Sequence, residues 1–411
     1  MVRGPSRAPP TLPAQEAISD PTCESRFAGR SFDHTLGMST VLKAADSAEF
    51  LGLVPALAGF TPRQSIVLVP FQRSRAHGAM RIDLPRDDVD LDEFIDTAIG
   101  LVARIGQMDA VAIVVYTDEL PQHTPDGMVL PSTVLIEDLL SLAVDSGLHI
   151  VDGLCVMPCG WSSYLDEEPE LFPLDDIPAT PDLPGVSDVT GDQDVGADLP
   201  NVDFAEKERV GRALRDLTDV LAHDSSTQAG RENPQAIAAT LLLDDLPLFF
   251  ETVLDHPENA PPFVSAALLW CLNRPSFRDA ALLQWATDLP TGIRALDAQL
   301  AFTEHGTTVP TELGRMFVGQ GDAPDPDRLR IALALVRNVA ARAPRASRPA
   351  ALTVAAWLSW ALGRSTHAAH HLEAASEIDP TYPMARLLST LIDTAVLPEW
   401  TFRRGSGMEA G

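Results

Sequence analysis

The stretch VPALAGFTPRQSIVLVPF, residues 54–71, changes its hydrophobic period at a single turn. Upstream, Phe50, Leu51, Val54 and Leu57 recur at helical spacing, and Gly59 can end that helix because a left-handed residue without Cβ costs least there. Downstream, Ser65 to Phe71 is an apolar run of the kind found in a strand covered on both faces. Between them Phe60 can anchor the loop and Pro62 fixes its backbone. A helix running straight into such a strand predicts an α/β layer. Arg63 and Ser65, at the head of the strand, could face a small anion, although no glycine-rich cradle accompanies them.

Reading onward, AMRIDLP (79–85) follows across the polar loop QRSRAHG and predicts an antiparallel partner for the first strand. DLDEFIDTAIGLVARIG (90–106) is a helix with acids crowded into its first turn, where the helix dipole favours them. DAVAIVVYT (109–117) is a second covered strand, STVLIEDLLSLAVDSG (132–147) a helix and LHIVDGLCVM (148–157) a strand. The order β-β-α-β-α-β predicts a mixed sheet flanked by helices. From Phe204 onward the chain reads as helices separated by short Pro, Gly and Asp breaks, among them 205–222, 262–273, 277–288, 326–343, 349–363, 365–378 and 382–396. The fold class is therefore an α/β N-terminal domain followed by an all-α helical domain.

The divisions are an arm over 1–38 lacking apolar period, an α/β domain over 39–165, an acidic linker over 166–203, a helical domain over 204–400 and a tail over 401–411. Met38 is a second candidate start. Residues 166–203 hold 12 acids and no base among many Pro and Gly, a composition too polar to offset the entropy of ordering.

Charge narrows the function. The net charge is -28, with no lysine or arginine between Arg104 and Lys207, so general nucleic-acid binding is disfavoured: a polyanion needs a basic surface. Lysine occurs only at Lys43 and Lys207, neither after glycine, which excludes a phosphate-binding P-loop. Cys23, Cys155, Cys159 and Cys271 are too few and too scattered for a disulfide framework, and no stretch reads as a membrane span or signal peptide, so a cytoplasmic location is expected.

The chemical candidates are weak. Cys155 and Cys159 have the spacing of half a zinc site without a second pair; packing at a strand end is the simpler reading. His367 and His371 stand at i and i+4, but buried Ala368 and Leu372 are expected to turn these imidazoles to solvent. In DDVDLDEF (87–94) a calcium-loop alignment puts Glu93 where glycine belongs, so these acids cap a helix instead. Arg278 and Asp279 form an interhelical ion-pair bracket or bind a ligand. Residues 328–348 hold six arginines and no acid; Arg330 and Arg337 among them offer an electropositive face to the acidic 166–203 segment or to an acidic protein partner. No cofactor motif is recognisable.

ALGRSTHAAHHLEAASEIDP (361–380) resembles the second half of a tetratricopeptide repeat, with Gly363 in the turn, Ala368, Leu372 and Ala375 on the packing face and Pro380 after the helix. More broadly, FLGLVPALAGFTPRQSIVLV, MRIDLP, GWSSYL, RPSFRDAALL and the tail from Leu352 resemble the actinobacterial family called domain of unknown function 4192. That resemblance implies a two-part fold and no reaction. The expected function is a protein-interaction or scaffold module that binds a protein or peptide. The alternative is an enzyme or small-ligand sensor with a pocket at the strand ends near Thr117, Asp118, Trp161, Ser162 and Tyr164.

Overall fold

The computed structural model describes residues 44–86, 89–106, 108–125, 127–181, 191–222, 233–394 and 396–403, together with the backbone of two short strands before them. Of the expected arm over 1–38, residues 1–30 and 35–38 lie outside the described residues, as does the expected tail 401–411 from residue 404.

The N-terminal sheet has eight strands: β1 (Ser31–His34), β2 (Thr40–Leu42), β3 (Ser65–Gln72), β4 (Arg75–Ala76), β5 (Met80–Asp83), β6 (Ala110–Tyr116), β9 (His149–Met157) and β10 (Gly160–Ser163). A separate hairpin is formed by β7 (Gln122–Thr124) and β8 (Gly127–Val129). The main sheet runs β10-β9-β6-β3-β4-β1-β2, with β5 also paired to β3. As expected it is mixed: β6 and β9 are parallel, while β3 is antiparallel to both β5 and β6. Ser31–His34 corrects the reading of 1–38 as an arm without structure, since its backbone pairs with β4 and β2 at the sheet's edge.

Helix α1 (Ser47–Ala58) ends at Gly59 with φ 82°, as its sequence predicts, and its N-terminus is capped by Asp46 accepting from the Glu49 amide. It covers one sheet face, where Phe50, Leu51 and Val54 meet Val67, Val69, Phe71, Ala112 and Val114. On the other face α2 (Leu91–Arg104) and α3 (Thr133–Asp145) pack Ile95, Ile99, Ile136 and Leu139 against Ile66, Leu68, Ile113 and Val115. Alternate residues of β3 and β6 thus feed two cores, which is why those strands are apolar throughout. Asp90 caps α2 by accepting from the Asp92 and Glu93 amides, so the acidic run serves the helix.

Beyond Phe204 the described residues contain helices and no strand. They are α4 (Phe204–Ala222), α5 (Pro234–Thr240), α6 (Leu246–Thr252), α7 (Pro262–Leu272), α8 (Pro275–Ala286), α9 (Leu289–His305), α10 (Thr311–Phe317), α11 (Pro326–Arg342), α12 (Arg348–Ala361), α13 (Ser365–Ser376), α14 (Pro383–Asp393) and α15 (Glu399–Arg403). They share one core. Helix α12 is buried from Pro349 to Ala361, as a helix apolar on all sides must be. Four tryptophans are fully buried, and each indole N–H donates to a main-chain carbonyl: Trp285 to Phe250, Trp357 to Phe317, Trp360 to Val396 and Trp400 to Ala361, at 2.8–3.2 Å. Their bulk is buried without leaving an orphaned donor.

The acidic segment differs from the expected solvated linker. Phe172 stacks on Trp161 with centroids 4.6 Å apart, exchanges two main-chain hydrogen bonds with it, and joins Ile177 on the α1 side of the sheet. Further on, residues 191–199 join the two halves. The Thr61 amide donates to Gly191 and the Gln193 side chain brackets the backbone of Arg63 at 3.0 and 3.1 Å, while Leu199 packs on the helical core. Arg81 of β5 reaches the Thr366 hydroxyl of α13 at 3.0 Å. A few apolar anchors and backbone pairings suffice to seat a chain whose carboxylates still face water.

Candidate functional site

Sheet geometry divides the residues expected at the strand ends. Ser65, Tyr116, Val156 and Trp161 lie in one row across β3, β6, β9 and β10, so their side chains share the α1 face. Ser162 pairs with Cys155 in the next row and points to the opposite face, where Tyr164 also packs. Trp161 and Ser162 therefore cannot converge on one ligand. Phe172 closes over Trp161, and the Tyr164 hydroxyl donates to the Pro131 carbonyl at 2.6 Å. Arg63 lies 3.7 Å from Asp118 and 3.5 Å from Asp192, and Asp118 also accepts from Gln64. Thr117 accepts from the Glu119 amide, as a turn residue does. The Oγ of Ser65, the Oγ of Ser162 and the Nε1 of Trp161 are buried without a hydrogen-bond partner.

Burial disfavours ionisation of three groups in this region. Burial pushes the Cys155 thiol up to about 11 despite a hydrogen bond with Tyr164, and burial likewise raises Tyr116 and Tyr164 far above a phenol's ordinary range. A thiol with that pKa supplies almost no thiolate near neutrality. Cys159 is exposed and free. Among the described residues no group of three or more His, Cys, Asp or Glu is arranged to hold a metal ion.

Arg278 and Asp279 pair within one helix rather than across two. The guanidinium donates to its neighbour's carboxylate at 2.9 Å and reaches the Tyr382 hydroxyl at 3.2 Å, tying α8 to the start of α14. Burial raises the Asp279 carboxyl above its ordinary pKa, and Arg278 opposes that rise.

The six arginines of 328–348 do not form one free face. Arg328 makes a bidentate pair with Glu251 at 2.7 and 2.8 Å and also donates to the Gln284 carbonyl. Arg342, 5% exposed, donates to the carbonyls of Ala260, Glu258 and Asn338. Arg345 and Arg348 donate to the carbonyls of Glu377 and Ala343. Arg330 pairs with Asp327 one turn away, and Arg337 donates to the Asp198 carbonyl of the acidic segment. Four of the six arginines are thus held in structural contacts.

The histidines depart furthest from expectation. His371 is 1% exposed, not turned to solvent, and both ring nitrogens lack a partner. Burial first, then the positive charges of Arg337, His370 and His367, holds its pKa down at about 3.

A groove that the sequence left unmarked lies in the helical half. Residues of α4, of α5 and its C-terminal turn, and of the Pro261–Phe263 entry to α7 line a cavity of about 960 Å³. Ala205, Ala213, Ala238 and Ala239 leave its lining low, with Leu242, Phe263 and Phe204 as the large apolar contacts. Phe204 is 80% exposed, an uncommon cost for a phenyl ring at a helix start. Glu208, Arg209, Arg212 and Asp216 put both signs of charge around the apolar lining. The sequence signal was Phe204 together with the Pro-Pro-Phe run at 261–263, which composition alone does not bring together.

A mixed sheet between helical layers, joined to a helical array by a seated acidic segment, defines a two-part protein with a surface groove in its second part. The family model for the domain of unknown function DUF4192 matches residues 48–310 and 324–399, and the chain belongs to that family. No curated protein and no solved structure matches the chain. No helix among the described residues is long and apolar enough to cross a membrane.

Proposed function

We propose that this chain is a non-enzymatic protein-interaction module of the cytoplasm, whose groove between α4, α5 and α7 receives one amphipathic helix of a protein partner. The observation that carries the reading is the groove itself: about 960 Å³, lined by alanines, Leu242, Phe263 and a phenyl ring left 80% exposed. Small side chains along a helix-walled trough let a partner's bulky residues insert, and an apolar helix face with anchors at i, i+3, i+4 and i+7 suits that shape. The mixed charges at the rim match the polar edges such a helix carries. Phe172 stacked on Trp161 fills the strand ends, and burial raises the Cys155 thiol and the Tyr164 phenol there, which supports the interaction reading over a strand-end enzyme.

The reading is tested with a photoreactive residue at Arg212 in the living cell, combined with Ala238→Trp, which fills the groove from an exposed position. A partner of defined mass that crosslinks to the parent and is lost in Ala238→Trp, at unchanged melting temperature, is the expected result. Crosslinks indifferent to Ala238→Trp would refute it.

A further inference from the structure

A chain of net charge -28 gathers positive groups on the inter-unit side of α11 and α13. Arg330 and Arg337 come from α11, Arg364 stands at the head of α13, and His367, His370 and His371 follow along it. Arg364 is exposed and lies within electrostatic range of Arg330 and Arg337, and no carboxylate among the described residues pairs with its guanidinium. The acids that approach the cluster are few. The Asp198 carboxylate lies 3.2 Å from His370 Nε2, its own side chain 90% exposed, and Asp327 holds Arg330. Asp194 lies within electrostatic range of His367.

Two buried features make this more than a surface accumulation. His371, 1% exposed and within electrostatic range of Arg337, His367 and His370, has neither ring nitrogen satisfied. The Arg337 Nε is likewise buried without an acceptor. A neutral imidazole carries one donor and one acceptor, and leaving them unmade in a buried place is costly unless a ligand completes them. The first turn of α13 adds main-chain N–H groups without a side-chain cap. The chain's own acidic loop already touches the site, through the Asp198 carbonyl on Arg337 and the Asp198 carboxylate on His370.

We propose that Arg330, Arg337 and Arg364, with His367 and His371, form a binding site for a phosphate-bearing small anion at the seam between the sheet and the helical array. Several guanidinium forks offer more N–H donors than one carboxylate can accept, whereas a tetrahedral phosphate dianion, and better a diphosphate, has the oxygens to engage them. The site is independent of the α4–α5 groove.

The experiment is calorimetric titration of the full chain with inorganic phosphate and with pyrophosphate, against acetate and KCl at matched ionic strength. Saturable binding of pyrophosphate, tighter than phosphate and absent for acetate, is expected. Arg364→Gln, at an exposed position, weakens it by about tenfold or more, the scale of one lost charge-assisted contact. His371→Gln weakens it as well, and Ala238→Trp leaves it unchanged, which separates this site from the groove. Heat no greater than the KCl control, or pyrophosphate binding that Arg364→Gln leaves intact, overturns the assignment whatever the fate of His371→Gln.

Discussion

Replacing His371 with glutamine, which does not titrate, should change the pH dependence of stability in a direction fixed by burial. The native imidazole is held at about 3, first by desolvation and then by the charges of Arg337, His370 and His367. In the unfolded chain it titrates near ~6.5. Between those values the unfolded chain takes up a proton that the native chain refuses, so stability falls as pH falls and is unaffected by this group above the unfolded value. The whole window is worth about 5 kcal/mol at roughly 1.4 kcal/mol per unit. The acidic end is inaccessible, because the chain's pI is about 4.5 and solubility fails where net charge vanishes. Stopping near pH 5.2 leaves an expected change of about 2 kcal/mol.

The assay is urea unfolding of both proteins near pH 7.5 and pH 5.2, comparing the parent-minus-variant difference at the two pH values. That difference cancels the many carboxylates common to both chains. It should move by about 2 kcal/mol against the parent on acidification. Nitrogen chemical shifts should show a His371 ring still neutral at the lower pH. A difference constant to within about 0.5 kcal/mol, or a ring that protonates near its free value, would show that the imidazole is hydrated and refute the buried placement.

Arg328→Met removes a bidentate contact to Glu251 and one to the Gln284 carbonyl, and should cost about 2–3 kcal/mol in urea unfolding; a loss under about 0.5 kcal/mol would mean the pair is merely superficial. Gly52→Ala builds a Cβ 2.6 Å from the Pro178 carbonyl, so hydrogen exchange at the Phe172 and Trp161 amides should accelerate as the acidic strap lifts; unchanged exchange would mean the strap is not seated there. Arg81→Met severs the bond to Thr366 and should widen the distance distribution between fluorophores on α2 and α14, with global stability changed by about 1 kcal/mol or less; an unchanged distribution would assign the joint to residues 191–199 alone.

The strands that carry two cores were legible because burial on both faces leaves no room for polar alternation: β3 and β6 are apolar at every central position. The stop at Gly59 and the cap at Asp90 were equally readable, since each depends on local backbone chemistry. His371 was misread although its signal was present. Ala368, Leu372 and Ala375 define the packed face, and a residue three after Ala368 lies within that same stripe, so its imidazole was bound for the interior. The acidic segment failed for a different reason. Averaging 12 acids over 166–203 hides Phe172, Ile177 and Leu199, and single anchors with main-chain pairing need no apolar majority. The α4–α5 groove was not read because Phe204, Ala238 and Phe263 stand on three separate helices and meet only when those helices pack, so no single run marks it.

The misreadings of His371 and of the acidic segment meet at one place, and their coincidence has a physical cause. Segment 191–199 can lie against both halves because its acids find Arg63 on the sheet side and His370 on the helical side, while Gln193 ties it to Arg63 backbone and Leu199 to the helical core. Surface ion pairs of this kind are each worth little in water. Their effect here is directional: a chain poor in bases keeps uncommitted positive charge where an anionic strap must land. The same excess leaves Arg364 without a carboxylate partner and His371 without a hydrogen-bond acceptor among the described residues. A phosphate-bearing anion entering the seam would thus bear on the contacts that hold the strap, coupling ligand occupancy to the relation between sheet and helical array.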